Sequence, residues 1–147
     1  AEDFLTGLIC PYCGCGSRMV KGDFIYPNVQ YEGKRPKFLD KLYYQCLSNP
    51  DHYVGTYGDN KRSLGRIADA DLRKWKQLGH RTFDPLWKEM GIFATYKEAY
   101  QWLAGKMGIS LEHTHFGMFT KEQCQIAIQY CNELLETQVQ TKNNQNT

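Results

Sequence analysis

The fold is decided by a stretch that opens with Cys10-Pro11-Tyr12-Cys13-Gly14 and closes with Cys46-Leu47-Ser48-Asn49-Pro50-Asp51-His52. Zinc takes four Cys or His ligands in a tetrahedron, and two close pairs of these residues can supply them. A Cys-x-x-Cys turn lets both sulfurs reach one ion, and Asn49 and Pro50 favour a turn that brings Cys46 and His52 together. We therefore predict one structural zinc ion bound by Cys10, Cys13, Cys46 and His52.

The other cysteines leave one alternative open for the ligand set. Cys15 could replace His52 as the fourth ligand, although three cysteines so close in sequence would crowd one ion. Cys124 and Cys131 fall on one face of a predicted helix and are interpreted as buried core thiols. A disulfide framework is not expected, because the chain shows no signal-peptide pattern and is long enough to form a core without crosslinks. Six cysteines in such a chain indicate a reducing compartment, and we expect the cytoplasm of a bacterial host cell.

The N-terminal motifs resemble the zinc ribbons at the C-terminus of type IA DNA topoisomerases. Those ribbons combine Cys-Pro-x-Cys-Gly with a Cys-Ser-Asn-x-Pro-x-Cys loop, and His52 stands where the last Cys would be. Histidine replaces cysteine in many zinc sites, so the ligand set remains complete. This resemblance implies contact with nucleic acid rather than catalysis.

A second resemblance covers more of the chain, from Cys10 to about Leu135. It rests on five runs in one order, which are Tyr53-Val54-Gly55, Leu64-Gly65-Arg66, Phe83-Asp84-Pro85-Leu86-Trp87, Tyr100-Gln101-Trp102-Leu103 and His115-Phe116-Gly117-Met118-Phe119. This order is similar to that of a small zinc-finger-containing family of unknown function from phages, plasmids and bacterial mobile elements. Members usually carry two Cys-x-x-Cys pairs, and here Pro50 stands at the last Cys position, so His52 takes over the ligand role. The resemblance implies zinc binding and no particular activity.

Length and charge narrow the class of protein. The 147 residues carry a net charge of only +2, so this is not a strongly basic nucleic-acid-binding protein. The charge is uneven, however, because residues 10–81 contain 13 Lys or Arg against 7 Asp or Glu. No apolar run approaches the length of a transmembrane helix, and no membrane partner is expected. A basic half of this kind is the pattern that a phosphate-binding surface produces, although a solvated surface has the same composition.

Cations and aromatic residues interleave in this basic half. Tyr31 and Tyr44 are candidates for stacking on bases, and a loop at residues 27–40 places cations beside aromatic rings. The predicted nucleic-acid-binding residues are Lys21, Tyr31, Lys34, Arg35, Lys37, Tyr44, Lys61, Arg62 and Arg66.

Periodicity and caps predict an α+β fold, with a zinc ribbon at residues 1–58, a domain of about four helices at residues 59–136 and a disordered polar tail at residues 137–147. The ribbon strands are expected around residues 24–26 and 42–44. Helices are expected at residues 70–80, from the Asp84-Pro85 start to Gly91, at residues 96–107 and at residues 121–135. Thr95 with Glu98, and Thr120 with Gln123, have the spacing of capping boxes.

These observations favour a small zinc-dependent nucleic-acid-binding accessory protein of a phage or mobile element, with single-stranded or junction DNA as its preferred partner. The alternative is a protein-interaction module that inhibits or redirects a host enzyme. A third hypothesis is a metal-dependent nuclease that uses His80, Asp84 and His115. A non-enzymatic role is favoured over the third hypothesis, because Asp84 is expected to cap a helix and His115 to bond a loop backbone.

Overall fold

The computed structural model describes residues 2–145, with side chains for residues 3–141. It has the predicted α+β architecture, in which a small antiparallel sheet is followed by helices. The chain forms two compact units, of which the first ends at Asp71 and the second begins at Leu72. No helix among the described residues combines the length and apolar character needed to cross a membrane.

The first unit is built from short elements joined by loops. They are α1 (Glu2–Leu5), β1 (Ser17–Lys21), α2 (Gly22–Ile25), a 3-10 turn (Lys37–Leu39), β2 (Leu42–Cys46) and β3 (Tyr53–Gly55). The strands form one antiparallel sheet in the order β1-β2-β3. The register pairs Ser17 with Cys46 across β1 and β2, and Gln45 with Tyr53 across β2 and β3.

The two faces of this sheet have different surroundings. Because side chains alternate along a strand, Tyr44 and Cys46 lie on one face while Tyr43 and Gln45 lie on the other. The first face carries a small buried core made of Cys10, Cys46, Val54 and Ile67, with Cys15 and Tyr44 packed against it. Because this core is small, the stability of the unit is expected to depend on its Cys and His side chains.

The first ribbon strand lies earlier in the chain than the sequence indicates. Residues 24–26 were expected to form it, but β1 is Ser17–Lys21 and the next four residues form the helical turn α2. The ladder ends at Gly22, whose N–H donates to the Lys41 carbonyl oxygen at 2.8 Å. Gly22 also lies so close to the Phe38 backbone that a side chain would collide with its carbonyl oxygen. The chain therefore turns at Gly22. The second strand was predicted correctly at its centre.

The segment after β3 folds back onto the sheet. Tyr53 and Ala68 exchange backbone hydrogen bonds of 3.1 Å in both directions. Farther along, Thr56 forms an isolated bridge with Ser63. These bonds attach residues 56–68 to β3, and these residues belong to the first compact unit.

Within the described residues, the helical part contains four α-helices, as predicted. They are α3 (Ala70–Phe83), α4 (Pro85–Lys88), α5 (Tyr96–Met107) and α6 (Lys121–Gln145), and a 3-10 turn at Leu111–His113 precedes α6.

The two predicted capping boxes lie at helix starts in the second unit. The Glu98 N–H donates to Thr95 Oγ1 at 3.2 Å at the start of α5. At the start of α6, the Gln123 N–H donates to Thr120 Oγ1 at 3.2 Å and the Thr120 N–H donates to Gln123 Oε1 at 2.9 Å. The start of α5 and its end at Gly108, which has φ of 68°, agree with the sequence prediction.

The core of the second unit consists of aromatic and aliphatic side chains around two thiols. Phe116 packs against Phe83 and Phe119, with ring centroids 5.7 and 5.2 Å apart. Cys124 and Cys131 are fully buried, as predicted, and their burial raises the pKa of the two thiols to about 11 and about 12. These thiols therefore stay protonated and act as small apolar groups.

The last helix is longer than the sequence indicates. It was expected to end near Leu135 and to be followed by a disordered tail, but α6 continues to Gln145. The continuation contains no Gly or Pro, and the Thr137 hydroxyl donates to the Glu133 carbonyl at 3.0 Å. Residues 146 and 147 of the predicted tail lie outside the described residues. The helix α3 is also longer than predicted, because it was expected to end at His80 and ends at Phe83.

Two helical glycines of the second unit provide a matched test of its packing. An alanine side chain at Gly79 would collide with the Phe116 ring, whereas the same position at Gly105 meets no atom within 4 Å. Alanine favours a helix over glycine by about 1 kcal/mol. We expect Gly105→Ala to raise the free energy of unfolding by up to about 1 kcal/mol. Gly79→Ala should lower the free energy of unfolding by about 1–3 kcal/mol, because the added methyl group would overpack the core against Phe116.

Urea denaturation followed by far-UV circular dichroism measures both effects. Equal stabilisation by the two substitutions would contradict the close contact between α3 and the Phe116 ring.

Candidate metal centre

The first half of the site is a tight turn that the backbone closes on itself. The Gly14 N–H donates to the Cys10 carbonyl oxygen at 2.8 Å, and the Cys10 N–H donates to the Cys15 carbonyl oxygen at 2.8 Å. Gly14 has φ of 72°, in the left-handed region that favours glycine. This turn places the Cys10 and Cys13 sulfurs on the same side, as the Cys-x-x-Cys spacing predicts.

The second half follows β2, which ends at Cys46. The Cys46 N–H donates to the His52 carbonyl oxygen at 2.9 Å, and the His52 N–H donates to the Asn49 carbonyl oxygen at 3.1 Å. The turn thus doubles back as Asn49 and Pro50 indicated. The N–H groups of Ser48 and Asn49 also donate to Cys46 Sγ at 3.3 and 3.4 Å. Such N–H donors stabilise a thiolate that ligates a metal.

The two turns bring four ligand atoms together. One atom each from Cys10, Cys13, Cys46 and His52 lies within 4.8 Å of all the others. His52 Nδ1 is 3.5 Å from Cys10 Sγ and 3.6 Å from Cys13 Sγ. Zinc bonds of about 2.3 Å to sulfur and about 2.0–2.1 Å to nitrogen separate the corresponding corners of a tetrahedron by about 3.6 Å. The cluster is compatible with one zinc ion, as the sequence predicted.

The surroundings of the site differ between its ligands. Cys10 and Cys46 are buried in the core of the first unit, whereas Cys13 is exposed. The His52 ring lies against Tyr12, with centroids 4.7 Å apart. The Tyr12 hydroxyl in turn accepts a hydrogen bond from the Asp69 N–H at 3.3 Å. Asp69 follows the segment 56–68, which folds back onto β3, so Tyr12 connects the end of this segment to His52.

The electrostatics of the cluster call for a cation. Without one, desolvation raises the pKa of Cys13 to about 12, with further contributions from hydrogen bonds and charges of Cys46 and Cys10. Three thiolates at this spacing repel one another, so they ionise together only when a positive ion offsets their charge. A zinc ion with three thiolates and one neutral histidine leaves one negative charge, and all four positions are filled by the protein. This donor set suits a structural rather than a catalytic zinc ion.

Cys15, the rival fourth ligand, lies beside the cluster but outside it. Its Sγ is 3.4 Å from Cys46 Sγ, and its side chain packs against the core of the first unit. His52 Nδ1, by contrast, faces two of the sulfurs. The geometry favours His52 over Cys15 as the fourth ligand.

The residues of the nuclease hypothesis are not among the possible metal ligands that the described part of the chain groups in threes or more. His80 Nδ1 lies 3.3 Å from Asp84 Oδ2, and Lys88 Nζ lies 3.9 Å from the same oxygen. Asp84 precedes α4 as predicted, but its side chain makes no capping hydrogen bond, and its carboxylate instead lies beside His80 and Lys88. His115 packs on Tyr100 with centroids 5.3 Å apart, and burial lowers its pKa. Among the described residues, the Cys and His cluster around His52 is the only such group of three or more possible ligands.

Several of the predicted nucleic-acid-binding cations have partners within the protein. Lys21 lies 3.7 Å from Asp40, Arg35 pairs with Asp23 and Asp40 at 3.0 and 3.1 Å, and Arg62 pairs with Asp59 at 2.8 Å. Arg66 is half-buried, and desolvation lowers its pKa. The carboxylates that pair with Lys21, Arg35 and Arg62 partly offset the charges of these three side chains before any ligand binds.

The two predicted stacking tyrosines occupy different environments. Tyr44 is partly buried against the core of the first unit, and its hydroxyl donates to the Lys61 carbonyl oxygen, so part of its ring is covered by the protein. Tyr31 remains exposed in the loop. The sequence did not indicate the contact between Arg18 and Phe24, whose guanidinium carbon and ring centroid are 5.3 Å apart. The signal that would have found them is the position of β1, which decides where Arg18 points.

Substituting the two rival ligands separately tests the ligand set. His52→Ala removes a corner of the tetrahedron, so we expect a loss of zinc affinity of at least about tenfold. Cys15→Ala leaves the four ligands in place and should keep a stoichiometry of one zinc per chain. Competition with a chromophoric chelator measures both. A larger loss in Cys15→Ala than in His52→Ala would assign the fourth position to Cys15.

Removing zinc should affect the two units unequally. Two of the zinc ligands, Cys10 and Cys46, belong to the core of the first unit, so we expect that unit to depend on the ion, whereas the second unit has its own core. We expect a chelator to abolish the native methyl signals of Val54 and Ile67 in NMR spectra. Those of Leu86 and Leu103 should persist, because neither residue belongs to the zinc unit. Unchanged signals from Val54 and Ile67 after zinc loss would show that the ion is dispensable for the fold.

Comparison with known proteins agrees with this picture of the site. Searches of curated proteins and of solved structures found no match to the chain. The sequence model of one family, described as a zinc-finger-containing domain, matches residues 6–134. That range includes all four ligands of the cluster and most of the described helices. The chain therefore belongs to the family of zinc-finger-containing domains.

Proposed function

We propose that the protein is a small zinc-dependent nucleic-acid-binding accessory protein of a phage or mobile element. The observation that carries this proposal is a set of exposed cations in the zinc unit that remain without an acidic partner among the described residues. Among the residues that the sequence predicted to bind nucleic acid, this set consists of Lys34, Lys37 and Lys61. Cations of this kind release counterions when they meet phosphates, and this release supplies most of the affinity of non-specific binding.

The distribution of charge supports the same proposal. Residues 17–45, which run from β1 to β2, contain six Lys or Arg against three Asp or Glu. The ion pairs of Arg35 with Asp23 and Asp40 brace the loop that carries Lys34 and Lys37. Zinc has a structural part in this proposal, because it fixes the sheet from which the loop projects. Single-stranded or junction DNA is the preferred ligand.

A salt series tests the proposal directly. We expect the zinc-loaded protein to bind a labelled single-stranded oligonucleotide with an affinity that falls steeply as salt rises. Lys34→Glu with Lys37→Glu should weaken binding at least about tenfold and reduce the slope of log affinity against log salt by about 1.4, or about 0.7 for each lost phosphate contact. Fluorescence anisotropy measures both quantities.

The matched control carries the same charge reversal in the second unit. Lys97 and Lys106 are exposed on α5, and Lys97→Glu with Lys106→Glu changes the net charge of the protein equally. Equal losses in the two double variants would mean that only net charge matters, and the loop would then have no special role. Absence of binding by the unmodified protein at low salt would overturn the proposal.

A second candidate function is a protein-interaction module that redirects a host enzyme. It is favoured by two exposed leucines near the metal site, since Leu8 and Leu47 are 51% and 59% exposed. A Cβ at Gly16 would lie 3.9 Å from the Leu8 carbonyl oxygen and 3.7 Å from Leu47 Cδ1, so the two residues are neighbours. Residues 1–71 also carry equal numbers of cationic and acidic residues, nine of each. Leu47→Asp separates the two candidates, because it should leave nucleic-acid binding unchanged and abolish binding to a protein partner.

A further inference from the structure

The register of the sheet creates a second surface, on the face opposite the metal site. Cross-strand pairing aligns Arg18, Gln45 and Tyr53 in one row across the three strands. Val20 and Tyr43 form the next row on the same face. Cys46 lies on the other face, because side chains alternate along β2.

Aromatic rings cover part of this face in a fixed arrangement. The Tyr26 ring makes edge contacts with Phe38, Tyr43 and Tyr53 at centroid distances of 5.4, 6.2 and 5.8 Å. The hydroxyls of Tyr26 and Tyr53 are also 2.8 Å apart. Edge-to-face packing of this kind holds the rings in place, so their orientation does not have to be organised by a ligand.

Two rings of this region, those of Phe24 and Phe38, remain open to solvent. Phe24 is 56% exposed and Phe38 is 39% exposed. The Arg18 guanidinium lies over the Phe24 ring, at 5.3 Å from its centroid. We refer to Arg18, Phe24, Tyr26, Phe38 and Tyr53 as the aromatic face.

The charge of Arg18 is held in position by a neutral group. Its Nε and Nη2 atoms donate to Gln45 Oε1 at 3.3 and 3.2 Å. Gln45 is buried and is itself fixed by a hydrogen bond from Nε2 to the Pro50 carbonyl at 3.0 Å. Among the described residues, no carboxylate pairs with Arg18, so the charge beside the Phe24 ring is not offset. An arginine presented in this way combines a planar surface with an uncompensated positive charge.

We propose that the aromatic face binds the unstacked bases of a single-stranded nucleic acid. This proposal rests on the nucleic-acid binding proposed above and names the surface that contacts the bases. Exposed rings offer stacking platforms that any base can use, while nearby cations track the phosphates. Lys37 is adjacent to Phe38 in sequence and has no acidic partner among the described residues, so ring and cation occur together a second time. A duplex conceals the flat faces of its bases, so the surface suits a single strand.

An abasic oligonucleotide separates stacking from phosphate contacts. The probes are a fluorescently labelled DNA strand with thymine bases and a strand of the same length with abasic sites. We expect the protein to bind the thymine strand at least about tenfold more tightly than the abasic strand, because stacking contributes to every bound base. Phe24→Leu with Phe38→Leu keeps apolar volume but removes both rings, so it should bind the two strands equally.

Two control variants keep the test informative. Phe24→Tyr with Phe38→Tyr retains both rings and should restore the preference for the thymine strand. Tyr96→Ala removes a ring on α5 that is 58% exposed and should leave the preference unchanged. Zinc stoichiometry and the Val54 and Ile67 methyl signals show that each variant has a folded first unit.

The outcomes separate this inference from the function on which it rests. A preference for the thymine strand that is lost in the leucine variant and kept in the tyrosine variant supports the aromatic face. Equal binding of both strands by the unmodified protein, with a normal salt dependence, overturns the aromatic face and leaves phosphate binding in place. No binding to either strand at low salt overturns both proposals.

Discussion

The convergence of two turns on one cluster of metal ligands is the constraint on which the first unit depends. The Cys10 turn and the Cys46 turn are far apart in sequence, and the three strands between and after them are at most five residues long. A sheet of this size buries few side chains, and besides the cysteines the buried hydrophobic residues described in the first unit are Leu39, Tyr43, Val54, Ile67 and Ala68. A small unit buries a smaller fraction of its surface than a large one, and a bound metal can add the stability that its core does not supply. The ligand cluster therefore replaces much of the core that a larger sheet would have.

The ligand cluster also explains how loops without regular structure can present functional groups. The return segment 56–68 is attached to β3 and ends near Tyr12, which lies against the histidine ligand. Ion pairs such as Arg35 with Asp40 then hold the long loop between α2 and β2. Exposed pairs of this kind add little stability individually, but they restrict where a loop can point. In this way a charge that a sequence marks as a binding residue can have a structural role instead.

The second unit follows a different principle, because its core requires no metal. Phe83, Phe116 and Phe119 pack together, and Gly79 on α3 allows the Phe116 ring to approach closely. The buried thiols of Cys124 and Cys131 belong to this core and stay protonated. The six cysteines thus divide into a group beside the metal centre and a pair that fills space in the core, and among the described residues this pair belongs to no group of possible metal ligands.

The sequence by itself determined the features that depend on neighbours in the chain. The metal ligands follow from two close pairs of residues, and the limits of α5 follow from Thr95 and Gly108, because turns and caps are local interactions. Only the tertiary structure decided the position of β1, the ion pairs of Lys21 with Asp40 and of Arg35 with Asp23, and the partial burial of Tyr44. Each of these depends on pairing between distant segments, and a shift of one residue in register would send every side chain of a strand to the opposite face. For the same reason Arg18 and Phe24 became visible as neighbours only once β1 was aligned with β2.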